Sequence, residues 1–244
     1  MTKAAASRRL SSSHSALAHA WPKDVRAARV VQEALGQQVV ARNKFKNIRS
    51  VAGIDVGYEG NPRRARAAIV VLSFPGLRLL EAVIARERVS FPYVPGFLSF
   101  RELPVVFKAL AKLKTKVDLF LCDGQGLAHP RRFGLACHLG VLTGTPCVGV
   151  AKSRLIGKHG TLASAKGSWV PLRDHGQTVG AVLRTRAGTK PLYVSVGHRV
   201  GLKSAIKFVL ACTARYRLPE TTRRAHRLAS ESLDLSRLLP EGKN

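Results

Sequence analysis

The sequence is short of acid. Against 41 lysines and arginines it sets only 14 aspartates and glutamates, a formal charge of +27 over 244 residues. That imbalance makes a polyanion the natural partner, because neutralising phosphates releases condensed counterions. Composition alone leaves a nucleic acid, a ribosomal surface and a membrane surface open, since all are anionic. No apolar run is long enough to cross a bilayer. The first twenty residues hold no continuous secretory core, and their Arg, Ser and Ala content fits a basic disordered tail, with an organelle transit peptide as the alternative. Cysteine is scarce and lacks a metal spacing. Cys122, Cys137, Cys147 and Cys212 form no C-x-x-C pair and lie in apolar stretches, as buried free thiols of a reducing cytosol do.

Several catalytic signatures are missing too. There is no G-x-x-x-x-G-K-[ST] phosphate loop and no H-E-x-x-H spacing, nor a G-x-S-x-G elbow. Gly124-Gln125-Gly126 begins like a dinucleotide fingerprint, but His129 stands where the third glycine belongs.

What is present suits one mixed α/β domain, with 45% of residues apolar. Residues 1–22 read as a disordered basic tail, 23–235 as a single domain and 236–244 as a flexible tail. Apolar residues recur at helical spacing over 23–40, and a basic linker follows. Strands are expected over 50–58, 65–74 and 77–89, with the Pro75-Gly76 turn signal between the last two; short connections make them an antiparallel meander. A loop with two prolines leads into a helix over 98–112. Then come a strand at 117–122, a helix at 132–142 and a strand at 146–151, a β-α-β order whose strands run parallel. Further strands are expected at 179–184 and 192–196, and helices at 202–216 and 220–233. Three antiparallel strands followed by α-β-α-β is the order of the ribonuclease H-like fold, a central mixed sheet flanked by helices.

The few acids stand out by their setting. Asp55 interrupts the apolar strand Val51-Ala52-Gly53-Ile54-Asp55-Val56-Gly57, where a carboxylate is costly unless paired, hydrogen-bonded or bound to metal. Asp123 repeats the pattern at the end of 117–122, and Glu102 lies early in the helix after the proline loop. If the first and fourth strands are neighbours, Asp55 and Asp123 meet, and a helix beside them adds Glu102. Three carboxylates without a histidine pair make a hard oxygen site suited to Mg2+ or Mn2+ and not to zinc. Strand-end caps or arginine partners are the alternative role for either aspartate.

These residues resemble the endonuclease V family. Phe91-Pro92-Tyr93-Val94-Pro95-Gly96-Phe97-Leu98-Ser99-Phe100-Arg101-Glu102 and Asp123-Gly124-Gln125-Gly126-Leu127-Ala128-His129-Pro130-Arg131 are similar to two long family blocks. Shorter ones are matched by Val51 to Asp55, Gly149 to Leu155, Gly197-His198-Arg199, and Leu218-Pro219-Glu220 with Thr222-Arg223 and Ala225-His226. The resemblance implies a Mg2+-dependent repair endonuclease (Mn2+ substituting), cutting the second phosphodiester bond 3′ to deoxyinosine and leaving 3′-hydroxyl and 5′-phosphate ends. It implies a cytoplasmic monomer with no membrane partner. Action on inosine in RNA, or a non-catalytic nucleic-acid-binding role, are the alternatives.

Carried over residue by residue, Asp55, Glu102 and Asp123 match the metal-binding acids. His129 and His226 match histidines near the active site, and Lys152 a basic residue reaching towards phosphate. Tyr93 matches a side chain that wedges beside the lesion, and Arg101 a contact to the strand. Gly96, Leu98, Gly124 and Leu135 match the lining of the pocket for the flipped base. From the residues alone, the alternatives are a core aromatic for Tyr93, a solvated strand-end lysine for Lys152 and a surface or capping group for either histidine. His198 reads as structural. Thr221-Thr222 stands where the family has Pro-Thr, a departure that bears on the approach to the last helix and on His226.

Overall fold

The computed structural model describes residues 20–60 and 64–230. An eight-stranded sheet runs in the order β3-β2-β1-β4-β5-β8-β7-β6. The meander is β1 (Ser50–Tyr58), β2 (Arg64–Ser73) and β3 (Leu79–Arg88), paired antiparallel. β4 (Leu119–Cys122) and β5 (Cys147–Ala151) continue parallel to β1. The sheet turns antiparallel again through β8 (Leu192–His198), β7 (Gln177–Leu183) and β6 (Trp169–Asp174). This is the mixed sheet, three antiparallel strands and then parallel ones, that the order of elements implied.

Strand alternation sorts the side chains onto two faces. On one, Ala52, Ile54, Ile69 and Val71 pack under α2 (Leu98–Leu110) and α3 (Leu135–Thr143). On the other, Val51, Leu119, Leu121, Val148 and Val150 lie under α4 (Leu202–Ala211). There too Ala68, Val70 and Leu72 meet Ala225, Leu228 and Ala229 of α5 (Glu220–Ser230). α1 (Val25–Gly36) is N-capped by Asp24, which accepts from the Ala27 N–H at 2.8 Å. It docks through Ala28 on Phe91, Phe97 and Phe100, each of which contributes roughly 2–3 kcal/mol by leaving water.

Some boundaries differ from expectation for local reasons. The helix expected from 132 starts at Leu135, because Arg132 has φ +55 and cannot be helical. The strand β6 went unforeseen: it is an exposed edge strand carrying Pro171, and proline there argues against a strand. Trp21, assigned to the tail, packs against the core, its ring 6.1 Å from Phe107 and 5.7 Å from His138. Residues 1–19 and 231–244, which hold the rest of both expected tails and the end of the expected last helix, lie outside the described residues. No helix among the described residues is long and apolar enough to cross a membrane. All four cysteines are buried and free.

Candidate active site

Register brings the two aspartates together. β1 and β4 pair in parallel with Gly53 opposite Leu121 and Ile54 opposite Cys122, and the Asp123 N–H donates to the Ile54 carbonyl at 3.2 Å. Asp55 and Asp123 are the next pair along. β4 ends there while β1 runs on to Tyr58, which leaves a notch beside β1.

A third group arrives from α5. Gly53, Asp55 and Gly57 share one face of β1. A Cβ at Gly53 would lie 2.1 Å from the Thr221 carbonyl carbon, and one at Gly57 2.3 Å from the Ala229 oxygen. The absent side chains let α5 lie directly on the strand. His226 thereby reaches Asp55, Nδ1 to Oδ2 at 2.6 Å. One ligand atom each from Asp55, Asp123 and His226 falls within 4.8 Å of the others. The Thr221-Thr222 departure leaves this intact: both threonines are buried, and the Thr222 hydroxyl donates to the Pro219 carbonyl at 3.1 Å.

Glu102 stands outside that tight group. It comes from α2, on the opposite face of the sheet, and is 7% exposed. Tyr58, also on that face, donates to its Oε1 at 3.4 Å, a long contact. Burial, then the charges of Asp55 and Asp123, push its carboxyl up to about 8. Burial and Asp123 likewise raise Asp55, against the hydrogen bond from His226. The mutual repulsion calls for a cation. Lys152, just beyond β5, occupies that role with Nζ 2.6 Å from Asp123 Oδ2. The carboxylates of Asp55 and Asp123, with the buried carboxyl of Glu102 nearby, supply oxygens that fit a hard divalent ion, while His226 is engaged by Asp55.

The other expected residues stand outside that tight group. Tyr93 is 72% exposed, on a loop pinned by buried Phe91 and Phe97, and is therefore no core aromatic. Arg101 turns inward: Nε donates to the Tyr58 hydroxyl at 3.0 Å and Nη1 to the Phe91 carbonyl at 2.8 Å. Gly124 and Leu135 are neighbours, since a Cβ on the glycine would meet the Leu135 side chain at 3.4 Å. Leu98 opens α2, half-buried. His129 is buried, lies outside the tight acidic group and bonds the Gly96 carbonyl at 3.0 Å. His198 accepts from the Val40 N–H at 3.3 Å, a structural role. Two things escaped the sequence. One is the contact of His226 with Asp55, foreshadowed by the glycines that flank Asp55 at i−2 and i+2. The other is an exposed Tyr216 with the Arg223 guanidinium 4.6 Å from its ring centre, beside Arg217, which donates to the Lys152 carbonyl at 3.3 Å.

The family model described as Endonuclease V matches residues 33–227. The chain is 58% identical over 213 residues to Endonuclease V of Roseiflexus castenholzii, covering 87% of this chain and 95% of that protein. It is similar to the crystal structure of Endonuclease V from Streptomyces avermitilis, with TM-score 0.82 and 46% identity over 86% of this chain and 92% of that one. It is also similar to Ciona intestinalis Endonuclease V, with TM-score 0.73 and 27% identity over 85% of this chain and 97% of that one. That protein was solved with a 24mer DNA containing an inosine followed by a ribo-adenosine.

Proposed function

Since this chain belongs to the endonuclease V family, the deoxyinosine-specific endonucleases of DNA repair, we propose that it hydrolyses the second phosphodiester bond 3′ to a deoxyinosine with Mg2+ held by Asp55 and Asp123. It is a metal-dependent hydrolase. The observation that carries the site assignment is the convergence of Asp55, Asp123 and His226 within 4.8 Å, with Lys152 and Glu102 at their flanks. A hard divalent cation, Mg2+ or in its place Mn2+, supplies charge neutralisation at the scissile phosphate and lowers the pKa of water.

The chain's own groups do the rest. Asp55 and Asp123 present oxygens from adjacent strand ends. His226 fixes the orientation of Asp55 through Nδ1. Glu102 completes the set directly or through water. Lys152 brings a positive charge to the same edge, where charge develops on the phosphate. Tyr93 fills the stack when the base is flipped out, into a pocket lined by Gly96, Leu98, Gly124 and Leu135. All these groups come from one chain, which suits a monomer with residues 23–235 as its catalytic domain. The buried free thiols suit the cytoplasm.

The test is cleavage of matched DNA and RNA strands carrying one inosine, with Mg2+ and with EDTA, and mapping of the product ends. The DNA should be cut one nucleotide beyond the lesion, leaving 3′-hydroxyl and 5′-phosphate, and EDTA should stop it. Cleavage of RNA alone, or cleavage indifferent to EDTA, would overturn the proposal.

A further inference from the structure

We infer that Gln32 and Arg131 are positioning residues for the lesion-reading loop, acting through one atom, the carbonyl oxygen of Gly96. The inference rests on the proposal that Tyr93 is the wedge and Gly96 part of the base pocket. Gln32 lies on α1, one residue before the segment that the family model matches.

Three donors converge on that oxygen: Gln32 Nε2 at 3.0 Å, His129 Nε2 at 3.0 Å and Arg131 Nη2 at 2.6 Å. A carbonyl has two lone pairs, so the point is held more firmly than an ordinary turn requires. The donors are themselves locked. Gln32 is 1% exposed; its Oε1 accepts from Arg131 Nε, and its amide also donates to the Phe133 carbonyl at 3.3 Å. Arg131 lies over the Phe97 ring, 4.1 Å from its centre. His129 accepts from the Arg131 N–H through Nδ1 at 3.2 Å, which places its ring proton on Nε2, facing Gly96. Burial and the adjacent guanidinium push its pKa down to about 4, so the ring stays neutral.

The clamped atom sits where it matters. Gly96 has φ +81, and a Cβ there would meet Arg131 Nη2 at 2.8 Å, so this bend depends on glycine. Three residues before it stands exposed Tyr93. Two residues after it α2 begins, and Glu102 lies on its second turn. The Val94 carbonyl accepts from the Phe97 N–H at 3.0 Å, closing the turn between wedge and helix. Without the clamp, buried Phe91 and Phe97 would still hold the ends of the loop and the Val94–Phe97 bond its closure, while the Gly96 carbonyl inside that turn would lose its three side-chain anchors. The orientation of Tyr93, and not the metal site, is what the clamp secures.

The experiment measures KM and kcat on a duplex with one deoxyinosine, and Ki for the undamaged duplex as competitor, with Mg2+. The enzymes are wild type, Gln32→Ala, Tyr93→Ala and the double variant. Arg131→Lys is included because it keeps the charge and loses the planar fork, in case Gln32→Ala does not fold; thermal melts accompany all of them. Loss of a buried hydrogen-bond pair should lower the Ki/KM ratio roughly tenfold in Gln32→Ala and in Arg131→Lys, with Ki unchanged. The double variant should discriminate no worse than Tyr93→Ala alone, because both act through one side chain. Wild-type ratios in Gln32→Ala and Arg131→Lys, or effects that multiply in the double variant, overturn the positioning role and leave the wedge standing. A wild-type ratio in Tyr93→Ala overturns both.

Discussion

Replacing Glu102 with glutamine should make the metal-free protein more stable, increasingly so as pH rises. The carboxyl is buried, and burial together with Asp55 and Asp123 pushes its pKa from 4.5 to about 8. Below pH 4.5 both folded and unfolded states hold the proton and nothing is lost. Between 4.5 and 8 the unfolded chain releases it while the folded one retains it, so stability falls as pH rises through that window. The penalty grows from roughly 1 kcal/mol at pH 5 to roughly 4 kcal/mol at pH 8. Glutamine has the same shape, still accepts from Tyr58 and carries no such penalty. Below pH 6.5 wild type alone will not display the trend, because His129 and His198, both pushed down to about 4 by burial, work there in the opposite sense. They stay neutral in the fold while the unfolded chain takes up protons below 6.5, so their contribution is lost as pH falls. Both histidines are common to the two proteins and cancel in the difference. Urea denaturation in EDTA at pH 5, 6, 7 and 8 should show the variant's advantage widening by roughly 3 kcal/mol. Saturating Mg2+ at pH 8 should shrink or reverse it. An advantage that stays flat from pH 5 to 8 would refute the reasoning.

The remaining predictions concern chemistry, binding and packing. Asp55→Asn and Asp123→Asn should each abolish cleavage while leaving strand binding intact, because the carboxylates serve the metal and the basic residues the backbone; near-normal single-turnover rates at saturating Mg2+ would remove the assignment. Affinity for duplex DNA should fall with salt by a slope of about −0.9 in log K per phosphate contacted, and a flat titration would detach the basic excess from DNA binding. Gly53→Ala should destabilise by roughly 1–3 kcal/mol or more, since its Cβ would lie 2.1 Å from the Thr221 backbone, and should lower cleavage as α5 and His226 are displaced. Gly160→Ala, with nothing within 4 Å of its Cβ, serves as the neutral control; equal melting temperatures for the two variants would count against the packing argument.

Much of the fold was legible because period and punctuation agreed. The run 50–58 is β1 to the residue, since from Val51 its apolar run is interrupted only by a carboxylate and glycines. The parallel pairing of β4 and β5 follows from the β-α-β order, whereas the pairing of β1 with β4, on which the meeting of Asp55 and Asp123 depends, was a condition that the register supplies. What stayed hidden were contacts between elements far apart in sequence. No local pattern says that Gln32, 64 residues before Gly96, bonds its carbonyl, or that Arg101 turns inward onto Tyr58. Both are polar side chains whose partners are decided by which helix covers which face. His129 illustrates the difference: its place in a family block marked it as a candidate, while its bond to the Gly96 carbonyl, on the loop that carries Tyr93, came only from the structure.

The division of the acids between two faces has a chemical consequence. β4 stops at Cys122 and β1 does not, so the notch between them is open to both sides of the sheet. Asp55 is held from one side by His226 of α5, and Glu102 is delivered from the other by α2 beside Tyr58. The two carboxyls repel each other, yet each has its own hydrogen-bond partner, His226 of α5 for Asp55 and Tyr58 of β1 for Glu102. Tuning is therefore separable. A change in the seating of α5 on Gly53 and Gly57 alters the Asp55–His226 pair while the Tyr58–Glu102 contact remains. A change at Tyr58 or Arg101 alters Glu102 and leaves His226 in place. A cation drawn into the notch would be the one element that both sides share, and the burial and repulsion that raise Asp55 and Glu102 would be relieved by it.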